Sequence, residues 1–226
     1  MNDETLKVVL PIASLIFGAF LGIGVSFVMI WWNTRRLKSA LLSELEVLHE
    51  TLVQQLLGYL RSLQWYAIGG VEAGAPLKIT HPIYEFHYKD VCHRLSQSQR
   101  RSYELIHEHI NQHNEDLNEL RSFASGYLRD GPENLREQWG LKVQSQYMNL
   151  RTIEWHIIYH LNNKHDPELG IGTKTHLEYL KYREQIVRET LKVIEKSKRL
   201  KPEDLAKRYD PRSFAHLDED SADDAT

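Results

Sequence analysis

The sequence lacks the short motifs that identify many enzyme classes. There is no GxxxxGK[ST] phosphate loop, no GxGxxG, no GxSxG nucleophile turn, no CxxC pair and no HExxH. Each motif supplies a specific chemistry, respectively phosphate binding, dinucleotide binding, acyl transfer, thiol redox or metal binding, and zinc hydrolysis. We therefore predict a protein that is not an enzyme, with no catalytic residues, no cofactor and no small-molecule substrate.

Cysteine and net charge are also scarce. The single cysteine, Cys92, cannot form an internal disulfide, which is typical of a reducing compartment. The formal net charge is only −3, so bulk electrostatics favours no nucleic-acid partner. The densest basic stretch, residues 192–201, ends a predicted helix, where lysine and arginine interact well with the helix dipole.

No segment alternates apolar and polar residues for long enough to predict a strand. The composition nevertheless indicates a folded chain, because 42% of the residues are hydrophobic and there are five tryptophans and eleven tyrosines. These features together predict an all-α protein.

One long hydrophobic run is present, over residues 8–32. These 25 residues carry no charge, and as a helix they would extend roughly 37 Å, enough to cross a bilayer once. No later segment approaches this length. The run is too long for the core of a signal peptide, and aromatic and basic residues follow it in place of a cleavage site. We predict an uncleaved transmembrane helix.

The flanks of the run predict its orientation. Basic residues follow it, whereas Asp3 and Glu4 precede it, so the positive-inside rule puts residues 1–7 outside and the remainder in the cytoplasm, most simply at a bacterial inner membrane. Aromatic and basic side chains are typical of the membrane interface. The predicted interface anchors are Trp31, Trp32, Arg35, Arg36 and Lys38.

Small residues recur every fourth position within the run, at Ser14, Gly18, Gly22 and Ser26. Such a ridge lets two helix backbones approach closely in lipid, so it predicts packing between transmembrane helices in a homo-oligomer or with a membrane protein partner. The alternative is that glycine and serine are simply common in membrane helices. Gly24 lies off the ridge.

The rest of the chain predicts a cytoplasmic antiparallel helical bundle over residues 33–200 that continues directly from the transmembrane helix. Helix formers run from residue 33 to 66 with a wide leucine stripe, and four more helices follow, separated by breaks rich in glycine and proline. Ser96 and Gln99 form a candidate capping box. The fifth helix, from about 175 to 197, carries its apolar residues at Leu177, Leu180, Val187, Leu191 and Ile194.

Residues 201–226 are predicted to hold one short helix, residues 203–209, and an acidic, disordered tail. The last eleven residues carry five acids and no lysine or arginine. Tails of this kind usually stay solvated, although some bind partners.

Two histidine pairs are the strongest candidates for chemistry. His109 and His113 share one face of the third predicted helix. His156 and His160 repeat the spacing on the fourth predicted helix. Facing pairs of this kind could bind zinc in a bundle core. The glutamates needed for a diiron site are not all present, and His113 falls within an apolar stripe, so the pairs also fit a structural role. We assign no metal ligand.

Three functions remain as hypotheses. The first is a membrane-anchored interaction or scaffold protein that binds the bilayer and either itself or a cytoplasmic partner. The second is an effector, toxin-like or part of phage defence, whose clustered transmembrane helices perturb the membrane. The third is a histidine-site enzyme, which has the least support.

Overall fold

The computed structural model describes residues 3–72, 76–131 and 133–206, and their side chains other than those of residues 3–16, 130, 204 and 206. The elements formed by the described residues are all helices, and these residues include no strand. The helices are α1 (Asp3–Ala67), α2 (Pro82–Val91), α3 (Gln97–Asp130), α4 (Glu133–Asn162), α5 (Lys174–Ser197) and α6 (Pro202–Ala206), with a short 3₁₀ helix, Cys92–Arg94, after α2.

The chain forms two compact units. The first comprises Met1–Glu44 and Pro82–Arg94, and the second comprises Leu45–His81 and Leu95–Thr226. The boundary between them lies inside α1, which is continuous from Asp3 to Ala67. The all-helical prediction is confirmed, as is the continuation of the hydrophobic run into a longer helix.

In the first unit, α1 binds the short helix α2 through two charged side chains. The buried carboxylate of Glu44 accepts hydrogen bonds from the backbone N–H groups of Ile83 and Tyr84, at 2.6 and 2.8 Å. These donors belong to the first turn of α2, where backbone N–H groups have no partner within the helix. Lys38 donates to the carbonyl of Arg94, just beyond α2.

The second unit is built around α3 and α4, which run antiparallel. Ser102 of α3 contacts His160 of α4, and Asp116, about four helical turns farther along α3, contacts Gln146. Residue numbers rise along α3 while those of the contacting residues fall along α4, so the two helices are antiparallel. Helix α5 is antiparallel to α4 in the same way, because Tyr159 contacts Thr175 while Arg151 lies 3.8 Å from Glu189.

The leucine stripe of α1 packs into the core of this unit. Its residues from 45 onward are almost fully buried, and apolar residues of α3 and α4 complete the core. The buried residues are Leu45, Leu48, Leu52, Leu56, Tyr59, Leu63, Tyr103, Ile106, Ile110, Leu117, Leu120, Trp139, Val143, Tyr147, Leu150, Ile153 and Ile157.

The helix ends also follow the sequence signals. Ser96 caps α3 and forms the predicted capping box with Gln99. Gly131 ends α3 with φ +68°, a left-handed conformation that glycine adopts without strain. The short helix α6 is observed at Pro202–Ala206, whereas predicted residues 207–209 and the acidic tail lie outside the described residues.

Helix α5 buries a different face from the one its apolar pattern indicates. Ile186, Thr190, Val193 and Ser197 are its buried residues. Leu177, Leu180, Val187 and Leu191 are instead 55%, 39%, 46% and 56% exposed. The tyrosines Tyr179 and Tyr182 account for this orientation, since their rings lie 5.1 and 6.3 Å from Trp155 of α4.

Two helical glycines give a matched test of the packing of α1 against α4. A Cβ at Gly140 of α4 would overlap the Tyr66 ring, whereas nothing lies within 4 Å of a Cβ at Gly58. We expect Gly140→Ala to lower the free energy of unfolding by about 1 to 3 kcal/mol through overpacking. Gly58→Ala should raise it by about 0.5 to 1 kcal/mol through helix propensity.

Denaturant unfolding of the full chain in detergent micelles measures both changes in the free energy of unfolding. Equal effects of the two substitutions would contradict the close approach of α1 and α4 at Gly140.

Candidate functional site

The first candidate site is the uncovered apolar part of α1. Every described residue from 17 to 32 is exposed, and the large apolar side chains among them are 55% to 72% exposed. In its most apolar 18-residue stretch, with mean hydropathy 1.4, none of the residues is buried. Among the described residues, α1 is the one helix long and apolar enough to cross a membrane.

The glycines of the predicted ridge face open space. Nothing lies within 4 Å of a Cβ built at Gly18, Gly22 or Gly24. Ser26 donates its hydroxyl to the carbonyl of Gly22 at 2.8 Å, so its polar group is satisfied within the helix. The side chain of Ser14 lies outside the described residues. The role of the ridge in helix packing stays a prediction.

The predicted interface anchors separate into two groups. Trp31, Trp32, Arg35 and Arg36 are exposed, and the Arg35 guanidinium lies 5.5 Å from the centroid of the Trp31 ring. Lys38 is half-buried, and its ammonium donates a hydrogen bond to the Arg94 carbonyl. Counting charges along the sequence cannot distinguish these two groups, because the difference depends on where the segment after α2 lies.

A groove of about 660 Å³ follows the exposed anchors along α1. Its lining carries two arginines and no acid, and consists of Trp32, Arg35, Arg36, Ser39, Ala40 and Ser43. Guanidinium groups bind phosphate well, because their planar donors match its oxygens. An anionic surface is therefore the electrostatic complement of this part of α1.

The second candidate site is a set of buried histidines in the second unit. The structure brings His109 to His156, with ring centroids 6.0 Å apart. It separates the other members of the predicted pairs, because His113 lies 5.8 Å from the Tyr59 ring while His160 hydrogen-bonds Ser102 at 2.8 Å. Among the described residues, no group of three or more histidines, cysteines or acids is arranged to hold a metal ion.

The structure also brings together His81 and His107, a contact that the sequence did not indicate. Their rings lie 4.8 Å apart, and both residues are buried. Nε2 of His81 lies 3.1 Å from the side-chain oxygen of Asn111. His81 precedes α2 and His107 lies within α3, so no spacing along the chain could have indicated this contact.

Burial lowers the pKa of these histidines because water is removed from the charged form. The pKa of His107 falls to about 2, with the neighbouring His81 and His160 adding to the effect. The pKa of His156 falls to about 3, through burial and then His109, and that of His160 to about 4 through burial. Burial lowers the pKa of His113 to about 4, against opposing effects of Gln146 and Asp116. These four side chains are neutral at pH 7.

The third candidate site is the outer face of α5, which we define as Leu177, Leu180, Glu184, Val187, Leu191 and Ile194. Its positions alternate by three and four residues, which is the spacing of a coiled-coil contact surface. Four of its large apolar side chains are exposed, and they lie on the side of α5 away from the buried residues of this helix. Exposed apolar side chains that recur along one helix face are typical of interaction surfaces.

Comparison with known proteins adds no relative. No family model, no curated protein and no solved structure matches the chain. The proposed function therefore rests on the geometry of the three candidate sites.

The exposed arginines predict a preference for anionic lipid. We expect the double substitution Arg35→Gln and Arg36→Gln to weaken binding of the chain to anionic vesicles, by about 1 kcal/mol for each charge lost. Sedimentation with phosphatidylglycerol and with phosphatidylcholine vesicles measures this preference. Lys38→Gln is the control, since its ammonium binds the Arg94 carbonyl, and an equal loss of the preference in that variant would contradict the assignment.

The buried histidines predict that acid destabilises the second unit. The folded-state pKa values of His107, His113, His156 and His160 lie below the usual 6.5, so the unfolded chain binds more protons below that pH. Stability is therefore full above pH 6.5 and falls as the pH drops, by about 2 kcal/mol for each histidine at pH 5. Denaturant unfolding between pH 7.5 and 5 measures the slope.

His156→Gln should reduce that slope by about a fifth to a quarter, because it removes one of the four buried histidines while His109, whose pKa burial also lowers, remains. The exposed His165 supplies the control, and His165→Gln should leave the slope unchanged. A stability that is flat from pH 7.5 to 5 would show that these histidines are not buried in the neutral form.

Proposed function

We propose that this chain is a single-pass membrane-anchored interaction protein, whose helical part binds other proteins at the cytoplasmic face of a bacterial inner membrane. The observation that carries the proposal is the exposed apolar part of α1, residues 17–32. Exposing one large apolar side chain to water costs about 1.5 to 3 kcal/mol relative to burial. A bilayer removes this cost for the whole segment.

The charges at the end of this segment support the orientation. Arg35 and Arg36 follow the apolar run directly and are exposed, and basic residues next to a membrane helix are retained on the cytoplasmic side. The bundle that follows is then cytoplasmic, in agreement with its single cysteine. The outer face of α5 supports an interaction role for that bundle, because it presents apolar side chains that no described element covers.

Self-association through the membrane helix is the first form of interaction that we propose. Gly18, Gly22 and Ser26 leave a flat surface on which a second α1 can pack closely. This assembly would set how many copies of the cytoplasmic part act together.

Cysteine labelling tests the proposed orientation. In a Cys92→Ser background, Asn2→Cys should react with a membrane-impermeant maleimide in intact cells. Glu137→Cys, on an exposed position of α4, should react only after the membrane is permeabilised. Labelling of Glu137→Cys in intact cells would reverse the proposed orientation. Recovery of the labelled chain in the soluble fraction, and not with the membranes, would refute the anchor.

The ridge makes a separate prediction about assembly. Gly18→Leu with Gly22→Leu should lower the oligomeric mass of the detergent-solubilised chain to that of a monomer, because bulky side chains keep the helix backbones apart. Light scattering measures the mass. Gly24→Leu is the matched control, since Gly24 has equally open surroundings but lies off the ridge. A monomeric mass for the unmodified chain would exclude self-association through α1.

A further inference from the structure

The outer face of α5 has the geometry of one half of a coiled coil. Leu177, Leu180, Val187 and Leu191 are exposed along it. The face extends over residues 177–194, about 26 Å or nearly five turns of helix. Coiled-coil partners bury such positions against a second helix, each side chain fitting between four of the partner's. The geometry therefore suits an amphipathic helix lying along α5.

The opposite side of α5 is already occupied, which leaves the outer face for another molecule. Tyr179 and Tyr182 contact Trp155 of α4, and Ile186, Thr190 and Val193 are buried. The hydroxyl of Thr190 donates to the carbonyl of Ile186, so this packed side contains no unpaired donor at that position. A rotation of α5 that buried the leucines would expose these contacts.

Unpaired positive charges line one edge of the outer face. Lys181 and Arg188 each lie four residues after a position of the face and are exposed, and neither forms an ion pair within the described part of the chain. Flanking charges of this kind select the partner in coiled coils. Their sign favours a partner with acidic residues beside its apolar positions.

A second copy of α5 is a poorer fit than an acidic helix. In a parallel pair, Arg183 of one copy would lie near Arg188 of the other. The two copies of Glu184 would also meet in the centre of the contact. Both arrangements place like charges together, which is destabilising.

We propose that the outer face of α5 binds an amphipathic helix of another protein, one that carries acidic residues on the flanks of its apolar stripe. Lys181 and Arg188 pair with those acids, and the leucines supply the apolar contact. This inference rests on the proposed interaction role of the helical part and is independent of the orientation of α1.

A pair of synthetic helices tests the proposal. Both are 21-residue peptides with leucine at the contact positions, one with glutamate and one with lysine on the flanks, and each carries a fluorescent dye. Fluorescence anisotropy is measured with the full chain in neutral phosphatidylcholine nanodiscs. We expect the acidic peptide to bind with a Kd on the order of micromolar, and the basic peptide to bind at least about tenfold more weakly.

Three variants locate the binding. Leu180→Glu with Leu191→Glu should weaken the acidic peptide at least about tenfold. Lys181→Glu with Arg188→Glu should reverse the preference in favour of the basic peptide, a gain that a misfolded variant would not produce. Leu141→Glu, at a 63% exposed leucine of α4, is the matched control and should change neither peptide's affinity.

Four outcomes would overturn the proposal. The first is that the acidic peptide does not bind. The second is that the Lys181→Glu, Arg188→Glu variant still prefers the acidic peptide. Removal of residues 207–226 strengthens its binding tenfold, which would make the chain's own acidic tail the occupant. Leu180→Glu with Leu191→Glu halves the mass of the chain in nanodiscs, which would make a second copy the occupant. Each result leaves the cysteine-labelling test of the anchor unaffected. Failure of the α5 proposal can therefore be distinguished from failure of the membrane anchor.

Discussion

The exclusion of apolar side chains from water is the constraint on which this structure depends, and α1 meets it in two ways. From Leu45 onward its leucines are buried within the helical core. From Phe17 to Trp32 its side chains have no protein cover. In the proposed function, the same hydrophobic effect that folds the second unit directs the other part of α1 to lipid. Arg35 and Arg36, directly after the apolar run, suit the boundary between lipid and water.

The core of the second unit is unusual in containing histidines among its leucines and isoleucines. His107, His113, His156 and His160 are all buried, and burial keeps them neutral by lowering each pKa. A neutral imidazole packs much like an aromatic ring, as the contact of His113 with Tyr59 illustrates. The same residues cost stability when protons become abundant, since charging them requires removing them from the core. Their spacing suggested metal ligation, but the structure gives them different neighbours.

Much of the fold could be predicted from the sequence because it depends on local signals. The period of the leucines in α1, the capping box at Ser96 and the glycine after α3 each act over a few residues. The face that α5 buries could not be predicted, because it depends on which aromatic side chains meet Trp155. The engagement of Lys38 by the Arg94 carbonyl, and of His81 by His107, likewise requires contacts between distant parts of the chain. The ridge residues could be named from sequence, but their packing depends on a second helix.

The central claim is that α1 is inserted in the bilayer, and extraction of membranes at alkaline pH tests it most directly. The unmodified chain should remain in the membrane pellet, as integral proteins do. A variant with Phe20→Lys and Phe27→Lys should move to the supernatant, because two charges at the bilayer core cost about 5 to 7 kcal/mol. Release of the unmodified chain into the supernatant would contradict the account.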